Sequence, residues 1–541
     1  MNSAEEASVS TLVLTEGEER PQTSPHRVTI QLSRQEESLI STILQAVQYL
    51  EEGKIPNYTP QSVEVRIAGG WVRDKILGLS TYDVDIAIDV LSGVDFATIV
   101  QSYLKLTNPK EVHKVGVIAA NPSQSKHLET ATMVVMGSEC DFCNLRAQEI
   151  YAQDSRIPVT RFGTPLEDAQ RRDFCLNALF FNLKTNLVED WTHRGLADLL
   201  EKKILETPLD PFTTFQDDPL RVLRAIRFAI RFDYDLSEKL REASSSDKIH
   251  QALVVKVSRE RVGKELEGML SGKGAEPHKA MSLIGELNLS RCVFALPTDF
   301  KIEGDLLDKS FASESVPEAW IMARSFMHQV VTIQSTHQVH SQASSVLDTR
   351  LFAMAAYLLP FRNLFYVDRK SKQVSVVDFI IRESIKFKNK DVAGMRTLME
   401  KVDSFVALLQ KDELERLETG MLLRATKELW VMCLFLAAIA SQSIDRAQNM
   451  YARIVEMNLD MSWKARPLLD GRALIQILDL PKGPMIGIYL EEQVKWMLQH
   501  PAGTKEECQE HLLSFKKQLD AKRPLEHEGN VEECKRAHIE D

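Results

Sequence analysis

The chain is predicted to be an α+β protein: a head built on a mixed β-sheet, followed by a long helical remainder. Three observations predict this. Segments with strand-like patterning, namely VEVRIAGG, YDVDIAIDV, HKVGVIAA, TATMVVMG and ECDFCNL, all fall between residues 63 and 145. From about residue 165 onward, apolar residues recur mostly at helical spacing. At 541 residues the chain also exceeds one ordinary domain, so several units are expected.

Residues 1–37 read as a disordered tail, 38–195 as the head, 196–280 as a helical neck and 281–541 as a helical body and tail. The first 27 residues are rich in Ser, Thr and Glu. They lack both the basic amphipathic pattern of a mitochondrial presequence and the apolar core of a secretory one, so cytoplasm and/or nucleus follow by default, with mitochondrial entry left open. The last twenty or so residues, charged and broken by Pro and Gly, read as a frayed end.

Composition is that of a soluble chain, 44% apolar and 26% charged. The longest apolar run, Leu429 to Ala440, is too short to span a bilayer and reads as a buried helix. A net charge of −11, from 66 basic and 77 acidic residues, argues against nonspecific coating of nucleic acid but leaves room for a local basic groove. Seven cysteines are scattered. The one close pair, Cys140 and Cys143, faces opposite sides of a strand, so buried thiols in a reducing compartment are a simpler reading than a zinc site.

In chain order, Leu39, Ile40, Ile43, Leu44, Val47 and Leu50 mark a helix. After the turn-rich GKIPNYTPQS comes the strand VEVRIAGG. Its terminal pair, Gly69 and Gly70, lets the backbone turn tightly and bring N–H groups close to an anion, and a helix start adds its dipole. Arg73 supplies a cation there and Asp74 a brace, although GGWVRD is equally compatible with a purely structural strand-to-helix turn. On the next strand Asp83 and Asp85 project to one face while Val84, Ile86 and Ile88 pack behind. Two adjacent carboxylates suit a divalent cation, and leaving them without one is costly; the bland alternative is a solvated strand face. Asp141, in ECDFCNLR, is the candidate third acid of a two-metal phosphoryl-transfer site.

Further along, RRDFCLN places Arg171 and Arg172 to meet phosphate, with Asp173 and Asn177 four residues apart on one helix face to meet a ribose, or else forms a surface helix with polar pairing. QDDPLRVLRAIRFAIRF is a strong helix, with Asp218 as N-cap and Pro219 at the first helical position. Its Arg221, Arg224 and Arg227 form a slowly drifting stripe of like charge, along which an anion is expected. Ser258 opens the helix SRERVGKELE, read as structural, with Glu260 or Arg261 bracing its first turn. Helices are also expected over much of 317–359, 392–449 and 488–519.

The set GGWVRD, DVDIAID, SKHLETAT, DFCNLR, DAQRRDFCLNALFFN, FQDDPLRVLRAIRF and SRERVGKELE closely resembles the class II CCA-adding enzymes, the tRNA nucleotidyltransferases, especially their fungal and plant branch. The likeness is dense over residues 60–275, and DGRALIQILDLPKGPMIG at 470–487 resembles the family's tail. It implies a polymerase β-like nucleotidyltransferase head with helical neck, body and tail. It further implies addition of C, C and A to the tRNA 3′ end from CTP and ATP, without a nucleic-acid template and with release of pyrophosphate.

By the same resemblance, Asp83, Asp85 and Asp141 hold Mg2+, and Gly69, Gly70, Arg73 and Asp74 form the triphosphate cradle. Arg171, Arg172, Asp173 and Asn177 attend phosphate and sugar. Asp218 and Arg221 imitate a Watson–Crick edge, the carboxylate accepting from the exocyclic amine that cytosine and adenine share, and Arg224 and Arg227 continue that face. The helical remainder binds the acceptor arm of tRNA by shape and phosphate contacts, and the enzyme is a monomer with no membrane partner. Departures from the family pattern are Cys175 in place of Thr, Asp217-Asp218 where bacterial relatives have Glu-Asp, and Gln148 in place of Glu. The rivals are an enzyme adding only CC or only A, a poly(A) polymerase of the same superfamily, and an inactive RNA-binding scaffold. Full CCA addition would draw on a flexible element around residues 111–126.

Overall fold

The computed structural model describes residues 28–118, 130–147, 162–306, 309–340 and 347–521. The expected loop at 121–127, the second half of the element at 111–126, Gln148 and both chain ends lie outside them. The chain divides into two compact units, residues 1–276 with 287–293, and residues 277–286 with 294–541.

The first unit opens with α1 (Arg34–Glu51), which starts one turn before the boundary expected at residue 38 because Ser33 and Glu36 form a reciprocal capping box. Leu39, Ile40, Ile43, Val47 and Leu50 are its buried face, as their spacing predicts. The central sheet comprises β1 (Val65–Ala68), β2 (Val84–Ile88), β3 (Gly116–Ile118), β4 (Thr130–Val135), β5 (Ser138–Asn144), β6 (Leu179–Asn182) and β7 (Leu187–Asp190), in the order β3-β4-β5-β2-β1-β6-β7. Only β2 and β5 run parallel within it; the other neighbours are antiparallel. The α2 (Gly70–Ile76) and α3 (Gly93–Thr107) helices follow β1 and β2. The side chains of Ile67, Ile86, Phe96 and Phe142 are fully enclosed, each stabilising the fold by about 1.5–3 kcal/mol relative to exposure.

The RRDFCLN run is not the helix expected from its spacing. Helix α4 (Pro165–Gln170) ends before it, and Cys175–Asn177 forms a single 3-10 turn leading into β6. The β6–β7 hairpin escaped the sequence reading because all four β6 residues are buried, which removes the period-two alternation. The first unit continues through α5 (Gly195–Ala197), α6 (Pro211–Asp217), α7 (Leu220–Phe232), α8 (Glu238–Ser244), α9 (Asp247–Lys256) and α10 (Arg259–Ser271). A two-stranded parallel pair, β8 (Ile204–Leu205) and β9 (Asp235–Leu236), flanks α7 in sequence.

The second unit takes in α11 (Pro277–Glu286), while α12 (Ser290–Val293) belongs to the first. It is mostly helical: α13 (Val316–His340), α14 (Thr349–Leu358), α15 (Val376–Phe379), α16 (Asn389–Leu409), α17 (Arg416–Thr426), α18 (Trp430–Ser441), α19 (Ile444–Glu456), α20 (Gly471–Leu478), α21 (Met485–Gln499) and α22 (Lys505–Ala521). The apolar run predicted as a buried helix is α18, enclosed from Trp430 to Ile439 and packed against α16 and α19. The expectation of an all-helical neck, body and tail needs two corrections: the β8–β9 pair within 196–280 and, in this unit, a small antiparallel sheet ordered β11-β10-β12-β13, from β10 (Ile302–Leu306), β11 (Lys309–Ser310), β12 (Leu364–Val367) and β13 (Gln373–Ser375). The strands of this sheet have two to five residues; β10, β11 and β13 bury only Leu306 among them, and β12 (LFYV) is apolar at every position although only Leu364 and Tyr366 are buried, so none shows a polar–apolar alternation to read. Among the described residues no helix is long and apolar enough to cross a membrane.

Candidate active site

The glycine turn lies at the end of β1. Gly69 has φ +70°, and its N–H donates to the Leu179 carbonyl oxygen of β6 at 2.9 Å. The positive φ favours glycine, and a Cβ there would also stand 2.7 Å from Arg172 Nη1, displacing that guanidinium. Gly70 begins α2. Arg73, expected as a cation open to phosphate, is instead 4% exposed. Its Nε donates to Asp74 Oδ1 at 2.8 Å, its Nη1 donates to Asn177 Oδ1, and its guanidinium lies 4.8 Å from the Phe232 ring. Asp74 Oδ2 accepts from Arg231 Nη2 at 2.8 Å. Arg73 and Asp74 therefore brace the turn from inside.

Two of the acids face each other across the one parallel pair among the described strands of this sheet. Asp85 of β2 stands in direct register with Asp141 of β5, and Asp83 precedes β2 by one residue. All three residues are exposed as a whole, although neighbouring protein crowds the carboxyl groups of Asp85 and Asp141. Crowding by surrounding protein pushes the Asp85 carboxyl above its usual range; Asp141 and Asp83 add to the rise, while Arg172 and Arg146 oppose it. Asp141 is raised by the same desolvation, then by Asp83 and Glu139. Mutually repelling carboxylates of this kind have the donor chemistry of a hard divalent cation site. Among the described residues no three carboxylate, imidazole or thiol groups stand together as a ready-made ligand set, so the fit to a hard divalent ion rests on the register of Asp85 with Asp141 and on the adjacent Asp83. Cys140 and Cys143 are unpaired thiols raised by burial to about 12 and about 11.

Asp168 on α4, which the sequence reading did not single out, organises the arginine pair. Its Oδ1 accepts from Arg171 Nε at 2.9 Å and from the Arg146 backbone N–H at 3.2 Å, and its Oδ2 accepts from Arg172 Nη2 at 2.8 Å. Burial pushes this carboxyl up, but Arg172 and Arg171 outweigh it and hold it at about 2. The i+3 and i+4 spacing from 168 to the two arginines was the available signal. Arg172 also lies over the Phe180 ring at 5.0 Å. Beside Asp85, Arg146 has a buried Nε without a hydrogen-bond partner. Asp173 and Asn177, 9% and 6% exposed, are joined by Asn177 Nδ2 donating to Asp173 Oδ1 at 3.0 Å.

The stripe on α7 does find anions, and they are protein carboxylates. Arg224 Nε donates to Asp173 Oδ2 at 2.8 Å, and Arg227 Nε donates to Glu265 Oε2 of α10 at 2.6 Å. Gly268 allows this crossing, since a Cβ there would stand 2.7 Å from Arg227 Cδ. Arg221 Nη2 donates to the Arg171 carbonyl oxygen at 2.8 Å, tying the start of α7 to the RRDFCLN run. Asp218 lies between α6 and α7. Its Oδ1 accepts from the Leu220 N–H at 3.2 Å, the contact expected of an N-cap two residues before it, although α7 is counted from Leu220 with Pro219 as the flanking residue, and its Oδ2 accepts from Arg261 Nη2 at 2.8 Å. Ser258 caps α10 through the Arg261 N–H, and Asp217 is exposed. Glu265 and Arg231 had no distinguishing signal in the sequence, because their partners lie 38 and 157 residues away.

The first unit thus brings together a glycine turn, a carboxylate pair, an anchored arginine pair and a polar helix start, the parts a nucleotidyl transfer requires. Residues 65–205 match the family described as the poly A polymerase head domain. That match leaves the choice among head-sharing enzymes open, and full-length relatives decide it. The mitochondrial CCA tRNA nucleotidyltransferase of Candida glabrata is 34% identical over 498 residues, covering 86% of this chain and 92% of its own. The mitochondrial CCA tRNA nucleotidyltransferase of Saccharomyces cerevisiae is 33% identical, with 84% and 89% covered. The Thermotoga maritima CCA-adding enzyme solved with tRNA superposes with a TM-score of 0.56 at 20% identity, over 88% of this chain and 94% of that one, a likeness of fold. With a polymerase-type head matched by profile and relatives above 30% identity spanning nearly their whole length, this chain belongs to the CCA tRNA nucleotidyltransferase family.

Proposed function

We propose that the protein adds C, C and A to the 3′ end of tRNA from CTP and ATP, with Mg2+ as its metal ion and no nucleic-acid template. The observation that carries this reading is the register of Asp85 against Asp141 across β2 and β5, with Asp83 adjacent, beside the Gly69–Gly70 turn. Names of the two yeast relatives and the tRNA in the Thermotoga complex supply the substrate class. Enzymes of this superfamily use a divalent metal ion. Asp83, Asp85 and Asp141 would hold it, and when bound it neutralises charge at the α-phosphate and lowers the pKa of the attacking hydroxyl.

The remaining work falls to the chain. The tRNA 3′ oxygen forms a bond to the α-phosphorus, the α–β phosphoanhydride bond breaks, and pyrophosphate leaves. The Gly69 and Gly70 backbone, with Arg171 and Arg172 beside it, offsets the triphosphate charge. Asp173 and Asn177 face the ribose. Asp218 accepts from the exocyclic amine of cytosine or adenine while Arg221 donates to ring acceptors, which rejects uracil and guanine. Arg224 and Arg227, neutralised by Asp173 and Glu265, stiffen that face and do not themselves take phosphate. The head at 38–195 and neck at 196–280 carry this chemistry, and the helical body and tail at 281–541 hold the acceptor arm by shape and phosphate contacts.

The test is purified protein with tRNA ending at the discriminator base, at C or at CC, and each nucleotide offered separately. Sequential C, C and A incorporation is expected. Addition confined to CC or to A supports a partial enzyme, open-ended adenylation a poly(A) polymerase, and no incorporation an inactive scaffold. Asp218→Ala and Arg221→Ala should each erode the preference for CTP over UTP by about tenfold or more, from the ~1–3 kcal/mol carried by a bidentate base contact. Unchanged preference in both sinks the templating assignment. Since both yeast relatives are named mitochondrial, we extend that destination to this protein beside the cytosol and nucleus. A fluorescent fusion in cells is expected to fill mitochondria as well, and complete exclusion from them overturns that extension.

A further inference from the structure

The buried polar groups around the glycine turn close into a ring. Starting at Asp74, Oδ1 accepts from Arg73 Nε at 2.8 Å, and Arg73 Nη1 donates to Asn177 Oδ1. Asn177 Nδ2 donates to Asp173 Oδ1 at 3.0 Å, and Asp173 Oδ2 accepts from Arg224 Nε at 2.8 Å. Arg224 and Arg231 stand seven residues apart on α7, two turns along one face, and Arg231 Nη2 donates to Asp74 Oδ2 at 2.8 Å, completing the circuit. We propose that Arg231, acting through Asp74 and Arg73, is a positioning residue that sets the ribose-reading geometry of Asn177 and Asp173, and so governs the choice of ribonucleotide over deoxyribonucleotide. This rests on the reading above, in which Asp173 and Asn177 face the sugar.

The physical argument concerns the orientation of one amide. Asn177 offers an oxygen on one side and an NH2 on the other, and the ring demands oxygen toward Arg73 and NH2 toward Asp173. Turned over, it would set NH2 against a guanidinium and oxygen against a carboxylate. Arg73 therefore holds the amide, and Arg73 is itself held by both its Nε and its Nη2 on Asp74 Oδ1. Asp74 can serve as that anchor only while Arg231 fixes its second oxygen. Without Arg231 the carboxylate is free to rotate, Arg73 follows it, and the amide loses its unique setting. Base selection has separate supports, Arg261 on Asp218 and the Arg171 carbonyl on Arg221, neither of which belongs to the ring. Sugar choice and base choice should therefore separate.

The experiment compares kcat/KM for CTP with that for dCTP, and for CTP with that for UTP, on tRNA ending at the discriminator base. In Arg231→Gln the CTP/dCTP ratio is expected to fall about tenfold while the CTP/UTP ratio stays within about twofold of wild type. Arg231→Lys, which keeps a charge and a donor, is expected to restore most of the ratio, leaving about a threefold deficit. Arg231→Gln combined with Asp74→Asn should fall no further than the worse single variant, since both cut one circuit. An unchanged CTP/dCTP ratio in folded Arg231→Gln overturns the proposal, as does an equal loss of base choice or strict additivity of the pair. Should Arg231→Gln fail to fold, an unchanged ratio in Arg231→Lys overturns it instead. Wild-type protein that adds neither C nor A defeats the functional reading itself; wild type that adds both, beside a variant still selective for ribose, defeats only this inference.

Discussion

Asp85→Asn is expected to cut nucleotide incorporation by about 10³-fold or more while leaving the protein folded. The amide preserves shape but cannot supply an anionic oxygen opposite Asp141, with which Asp85 is in register. A divalent ion contributes several kcal/mol of charge stabilisation, and at ~1.4 kcal/mol per tenfold that is about three decades of rate. A second readout separates loss of metal from loss of fold. Desolvation and the neighbouring Asp141 and Asp83 disfavour an ionised Asp85, so removing its charge relieves repulsion. Without magnesium the variant should melt no lower than wild type. Added magnesium should raise the wild-type Tm by mass action and leave that of the variant nearly unmoved. Substantial activity in Asp85→Asn, or the same magnesium-induced rise in both proteins, removes the carboxylate pair from the metal assignment.

Asp168→Ala is expected to destabilise the first unit by roughly 1–3 kcal/mol, because it leaves two partly covered guanidiniums, 33% and 20% exposed, without their shared counterion. Burial opposes ionisation of Asp168, yet Arg172 and Arg171 hold its pKa at about 2. The folded value is depressed below the unfolded one, so this stabilisation is fully present above the unfolded carboxylate pKa of about 3.9 and is lost as pH falls through the folded value. The window is thus about pH 4 down to about pH 2. Urea midpoints measured across that window should fall more steeply for wild type than for Asp168→Asn, whose neutral side chain has no charge to lose. Parallel acid limbs in the two proteins, or a loss at neutral pH below about 1 kcal/mol for Asp168→Ala, contradict the assignment. Nucleotide affinity should suffer with stability, since the same carboxylate aims both arginines and holds the backbone N–H that follows β5.

Local pattern alone determined a good deal of this molecule. The Gly69–Gly70 turn, the Asp83 and Asp85 pair, the amphipathic α7 and the buried α18 each follow from neighbouring residues, because turn conformation and helical or strand periodicity are properties of short windows. What such windows could not hold is partnership. That Asp85 meets Asp141 is set by the parallel pairing of two strands separated by α3 and an antiparallel hairpin arm. That the arginines of α7 are answered by Asp173, Glu265 and Asp74 is set by segments 38 to 157 residues distant. The same limit explains two of the departures in the fold. β6 is buried on both faces, and the strands of the small sheet are short, with β12 apolar at every position, so neither shows the alternation that marks a strand. Residue type and spacing decided which chemistry was available; only the closing of the chain on itself, where desolvation makes an unpaired charge costly, decided which charges are spent inside and which remain for a substrate.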